Sequence, residues 1–166
     1  DINCSKESLT FLHCGDYSSK IRNIEPLYHA IDKTNHKLII CGNSDLKLES
    51  TDRIKIYPRV SYERTKEFEK ECDVLVHLSN LKGTQIPGKI YQYSGTNKPI
   101  LFILDGEKTE LTDTFGTYNR YIFADNTVSE LLERFDSIYS GEYNNTLFVE
   151  KSFSPLKIAQ EIISLG

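Results

Sequence analysis

The stretch from Asp73 to Leu104, DVLVHLSNLKGTQIPGKIYQYSGTNKPILFIL, constrains the fold more than any other part of the chain. A continuous apolar run, Asp73–Leu78, reads as a strand of a covered sheet. A polar loop, Ser79–Gln85, follows it. Ile86-Pro87-Gly88-Lys89 then opens a short helix that carries Ile90, Tyr91, Gln92 and Tyr93. A second apolar strand, Pro99–Leu104, closes the unit. Strand, loop, helix and strand within about thirty residues form a βαβ unit, which belongs to a parallel sheet. In such sheets ligands collect where the carboxyl ends of strands face helix N-termini. Gly88, Lys89 and Gln92 belong to that edge.

The rest of the chain repeats the alternation. Leu9–Cys14 reads as a buried strand. Ile24, Leu27, Tyr28 and Ile31 fall at i, i+3, i+4 and i+7 and predict a helix over Asn23–Asp32, with Asn23 as cap and Pro26 tolerable in its first turn. Lys37–Cys41 is a second strand, ended by Gly42. Arg53–Tyr57 is a third, ended by Pro58. Ser61 caps a helix running to about Glu71, with Tyr62, Thr65 and Phe68 expected inward. After the βαβ unit, Arg120–Ala124 is a further strand. Thr127 and Glu130 have capping-box spacing ahead of a helix with Val128, Leu131, Leu132, Phe135, Ile138 and Tyr139 on one face. Ser154-Pro155 opens a C-terminal helix over residues 154–166. Residues 105–119 and 141–153 read as loops. The expected architecture is α/β: a Rossmann-like three-layer sandwich with a mainly parallel sheet of about six strands, in a single domain over residues 1–166.

Composition removes several classes of function. The net charge is −4, so no basic surface favours nucleic acid. No apolar run is long enough to span a membrane, and no signal-peptide pattern is visible. The chain begins at Asp1 and contains no Met, and a domain excised from a longer protein is the expectation. Cys4, Cys14, Cys41 and Cys72 show no CxxC spacing and no His at a ligand interval, so reduced structural thiols and a cytoplasmic setting are expected. No Asp-x-Asp motif or Cys/His cluster offers a metal site. The triplets Asn3-Cys4-Ser5 and Asn144-Asn145-Thr146 match the glycosylation sequon but arise readily by chance. His13 and His77 lie in apolar strands and read as core or strand-end residues.

The first strand ends in Cys14-Gly15-Asp16 and leads to Lys20 and Arg22 just before a helix. This is not the dinucleotide fingerprint GxGxxG, although one glycine still permits close backbone approach to a ligand. Lys89 in a first helical turn is unfavourable for the helix dipole unless an anion docks there.

The run Pro87-Gly88-Lys89-Ile90-Tyr91-Gln92-Tyr93, followed by Lys98-Pro99-Ile100-Leu101, resembles the donor-binding half of GT-B nucleotide-sugar glycosyltransferases, especially the family-4 class. Related features run from about Leu9 to Ser140. The resemblance implies one half of a GT-B fold, whose missing N-terminal Rossmann-like domain would carry the acceptor site. It implies transfer of a sugar from a nucleotide sugar to a glycan or lipid-linked acceptor, as in surface polysaccharide synthesis, with no metal or other cofactor. Peripheral membrane association of the full-length protein is part of that expectation. It assigns donor contacts to Gly15, Lys20, Arg22, Val60, Gly88, Lys89 and Gln92. Arg22, Lys20 and Lys89 would neutralise the diphosphate. The Val60 backbone would meet the base edge, and Gln92 would reach a ribose diol. The catalytic residues stay unassigned. Two glutamates common in the family are replaced here by Thr84 and Gln92. That departure keeps two alternatives open: a non-catalytic nucleotide-binding or interaction module, and a GT-B epimerase-like protein.

Overall fold

The computed structural model describes residues 7–83 and 88–144. The C-terminal helix expected over 154–166 and the residues Thr84–Pro87 that lead into the βαβ helix lie outside them. Among the described residues there are six strands and five helices, alternating except that β3 follows β2 directly: β1 Thr10–Cys14, α1 Glu25–Asp32, β2 Lys37–Cys41, β3 Ile54–Tyr57, α2 Tyr62–Glu71, β4 Val74–Leu78, α3 Lys89–Ser94, β5 Ile100–Leu104, α4 Lys108–Phe115, β6 Tyr121–Asp125 and α5 Val128–Tyr139.

All five strand pairings are parallel, in the order β3-β2-β1-β4-β5-β6. This is the doubly wound Rossmann order. Because side chains alternate along a strand, each strand feeds two cores. Phe11, Val74, Val76 and Leu101 join Leu27, Ile31, Leu131 and Phe135 from α1 and α5. Leu12, Leu75 and Phe102 join Phe68, Ile90, Tyr93 and Phe115 from α2, α3 and α4. A sheet covered on both faces needs the continuous apolar strands that the sequence shows.

Several local expectations need correction. Residues 105–119 are not a loop throughout, since α4 occupies Lys108–Phe115. Only Leu111 and Phe115 of that helix are buried, too sparse a pattern for periodicity to register. Tyr62 points outward at 64% exposure, while Thr65 and Phe68 do face inward. The cap position of α1 is Ile24. Asn23, one residue earlier, still accepts the Glu25 N–H through Oδ1 at 3.0 Å. Ser61 caps α2 as expected, taking the Arg64 N–H. Thr127 takes the Glu130 N–H at the start of α5. Glu130, however, turns away from a reciprocal bond and pairs with Arg134 at 2.8 Å.

Candidate functional site

In this strand order β1 and β4 are neighbours at the centre, and the chain leaves them toward opposite edges. At such a switch point a crevice forms outside the carboxyl ends of the strands. Local bonding shapes both loops. Ser18 and Arg22 exchange backbone hydrogen bonds at 2.9 and 3.2 Å, and Arg22 Nη1 donates to the Asp16 carbonyl at 3.2 Å. The loop after β1 is thus a closed turn that folds Arg22 back beside Gly15. The Leu81 N–H donates to the Ile21 carbonyl at 2.7 Å, which ties the loop after β4 to it. On the other side, the Gly15 N–H donates to the Cys41 carbonyl at 2.8 Å. A Cβ on Gly42 would sit 2.1 Å from the Gly15 oxygen, so the approach of these two turns requires glycine there.

Two hollows meet in the crevice. The outer one, about 240 Å³, is walled by Gly15, Cys41, Gly42, Arg59, Val60 and Lys89. The inner one, about 30 Å³, is walled by His13, Gly15, Arg22, His77, Lys89 and Tyr93. They share Cys14, Gly15, Asp16 and Lys89. The inner niche holds an unusual concentration of polar atoms without partners. Both ring nitrogens of His13, His77 Nε2 and Arg22 Nε are buried and make no hydrogen bond, while the Tyr93 hydroxyl lies beside the Cys14 thiol. Natural folds pair the great majority of such groups, so each exception calls for a reason.

Electrostatics follow from burial. Burial drives His13 down to about 4; the backbone at Val76 pulls it upward more than Arg22 or Lys89 pushes it down, and the Gly15 backbone adds a smaller upward pull. Burial drives His77 down to about 3. Both imidazoles are neutral near neutrality. Burial also lowers Arg22 and raises the Tyr93 hydroxyl well above its ordinary value. Asp16 is lowered chiefly by the Asn43 N–H it accepts, then by Arg59. Cys14 and Cys41 face each other in register. The Cys41 thiol as donor lowers Cys14, and the same contact raises Cys41. Cys14, Cys41 and Cys72 are free and buried. Among the described residues no His, Cys, Asp and Glu cluster of metal-binding size occurs, and no helix is long and apolar enough to cross a membrane.

The donor contacts expected from the sequence divide into three sets. Gly15, Arg22 and Lys89 converge on the inner niche. Gly15, Val60 and Lys89 share the outer hollow. Gly88 and Gln92 are exposed on α3 and its cap and wall neither hollow, although nothing lies within 4 Å of a Cβ built on Gly88. Lys20 is exposed and also stands outside them. The dipole argument for Lys89 also changes. Its Nζ lies 3.9 Å from Glu69 Oε1, on a carboxylate that Lys66 already holds at 2.6 Å. A buried acidic partner therefore meets this cation without any bound anion. Sequence reasoning missed the polar character of His13 and His77, because a histidine inside an apolar strand gives no sign of whether its nitrogens find partners. It also missed Arg59, which pairs with Asp16 at the rim.

The fold recurs in known glycosyltransferases. HepE of Anabaena, solved in complex with UDP and glucose, superposes with a TM-score of 0.57 at 16% identity, over 95% of this chain and 48% of that one. The spinosyn forosaminyltransferase SpnP gives a TM-score of 0.51 at 14% identity, over 97% of this chain and 44% of that one. This chain thus spans about half the length of either protein. No family model matches the sequence, and no curated protein matches it either.

Proposed function

We propose that this chain is the donor-binding domain of a GT-B glycosyltransferase, and that it holds a nucleotide sugar in the crevice between the β1 and β4 loops. The observation that carries the proposal is the convergence of Gly15, Arg22 and Lys89 on one niche at the switch point of the sheet, in a fold shared with half of a protein solved with UDP and glucose. When a glycosidic bond to a diphosphate breaks, negative charge builds on the leaving phosphate. The guanidinium of Arg22 and the ammonium of Lys89 neutralise it without a metal. The Val60 backbone at the outer hollow faces the base, and Gly88 and Gln92 on α3 reach the ribose or sugar. The sugar is passed to a glycan or lipid-linked acceptor held by a second Rossmann-like domain. Half the cleft cannot hold donor and acceptor in attack geometry, so this chain alone binds and does not transfer.

The test is calorimetric titration of the chain with UDP-glucose, UDP and GDP, with and without EDTA. Binding of one nucleotide, unchanged by EDTA, supports the reading. Loss of affinity with EDTA removes the metal-free mechanism. Sugar transfer by residues 1–166 alone would overturn the division of labour. A second reading, a non-catalytic nucleotide-binding module, is favoured by Thr84 and Gln92, which supply no carboxylate at the nucleotide. Transfer activity in the full-length protein separates the two.

A further inference from the structure

The inner niche has room for about one oxygen-sized group. His13, 5% exposed, walls it, and neither ring nitrogen makes a hydrogen bond of normal geometry, although the backbone at Val76 and Gly15 lies near the ring. A neutral imidazole carries one donor and one acceptor, and burying both without partners is costly. Elsewhere this chain does pair a buried histidine: His36 Nδ1 accepts the Leu9 N–H at 3.2 Å. His13 therefore differs from an ordinary core histidine of the same fold. The charged groups around it are Arg22 from the β1 loop and Lys89 from α3. Asp16, Cys14, His77 and Tyr93 also wall the niche. Tyr17 meets the ring edge-on at 6.3 Å. The one carboxylate among these, Asp16, is already held by Arg59 and the Asn43 N–H.

We infer that His13 is a ligand-contacting residue. An anionic oxygen of the bound diphosphate enters the niche beside Arg22 and Lys89, and His13 takes up one proton from solvent to donate to it. The inference rests on the nucleotide-sugar reading for the identity of the anion and adds a proton linkage to it. An anion close to an imidazole raises its pKa by about 1–3 units. Binding then draws in a proton wherever the pH lies between the free and bound values.

The probe is UDP-glucose, whose diphosphate diester keeps a fixed charge across the range, with sulfate as a second anion. Titration near pH 6 in buffers of different ionisation enthalpy is expected to show uptake of about half a proton, and affinity is expected to rise roughly tenfold from about pH 7 to about pH 5. The His13 Cε1–H resonance is expected to move to its imidazolium position on binding. His13→Gln keeps a donor that cannot titrate and removes the uptake. The resonance measurement on the unaltered chain decides the matter even if that variant does not fold. Binding of either anion without proton uptake overturns the inference and leaves the nucleotide reading in place. Sulfate binding with uptake, but no UDP-glucose binding, supports the His13 seat and overturns the nucleotide reading. No binding of either anion overturns both. Uptake lost in His77→Gln but kept in His13→Gln overturns the assignment to His13.

Discussion

The two ends of the sheet differ in how completely their polar side chains are paired. At the amino end each is used to close structure. Asp73 Oδ2 accepts the Thr10 N–H at 2.9 Å. His36 accepts the Leu9 N–H. Lys98 donates to the carbonyls of Lys70 and Cys72. Arg120, 2% exposed, donates to the carbonyls of Tyr93, Ser94, Thr96 and Lys98 at 2.6–3.2 Å and so fixes the turn between α3 and β5. At the carboxyl end Ser79 Oγ accepts the Asp105 N–H at 2.6 Å, but both His13 nitrogens, His77 Nε2, Arg22 Nε and Asn80 Oδ1 make no hydrogen bond. The difference teaches where the molecule holds unsatisfied polarity in reserve. A group left without a partner can be completed by a ligand, whereas the polar groups named at the amino end are already paired.

Arg120 carries the largest expected effect. Replacing it with Met leaves several buried carbonyls without a donor, and a loss of about 3–5 kcal/mol is expected, read from the urea midpoint. A loss below about 1 kcal/mol would mean that water replaces the guanidinium and that the amino end is not sealed.

Acid should act through the carboxyl end. His13 and His77 have folded pKa values of about 4 and about 3, below the unfolded value of 6.5. The unfolded chain therefore binds more protons than the folded one below about pH 6.5. The stability supplied by the neutral imidazoles is complete above that pH and drains as pH falls toward the folded values. With two groups at about 1.4 kcal/mol per pH unit each, roughly 3 kcal/mol is lost one unit below the unfolded pKa. A variant carrying both His13→Gln and His77→Leu should show a shallower slope in a denaturation series across this window. An unchanged slope would assign the acid sensitivity elsewhere.

Lys89→Ala and Arg22→Ala are each expected to weaken nucleoside-diphosphate binding by about 1–3 kcal/mol. The Lys89 change should leave the urea midpoint nearly unmoved, because Glu69 keeps Lys66. Calorimetric titration with UDP and GDP reads both, and unaltered affinity would remove the site assignment.

The smallest effect comes from swapping one histidine at each end. His36→Leu strips the Leu9 N–H of its acceptor and should cost about 1–2 kcal/mol. His77→Leu removes an unpartnered nitrogen while keeping contact with Phe102, whose ring lies 4.5 Å away, and should be neutral or slightly stabilising. Equal losses in the two variants, measured by thermal unfolding, would erase the contrast.

The layer architecture was legible in the residues alone. The runs Asp73–Leu78 and Pro99–Leu104 are apolar at successive positions, and only a strand covered on both faces accommodates that. The strands read from pattern lie within a residue or so of those observed, because alternating strand and helix periods leave few solutions. Helix α4 escaped, since two buried residues in a polar segment make no periodic signal. Gly15, Arg22 and Lys89 were legible as candidates from their places after strands and beside a helix start. Their convergence was not, because it depends on β4 lying next to β1, a pairing between residues 63 positions apart in the case of Asp73 and Thr10. Only the folded chain places Lys20 and Gln92 outside the hollows and His13 on the wall of the inner one. It also decided that Lys89 meets Glu69. Local sequence sets which way a side chain alternates along its strand. Whether its polar atoms find partners is settled by chain segments that sequence order does not place beside it.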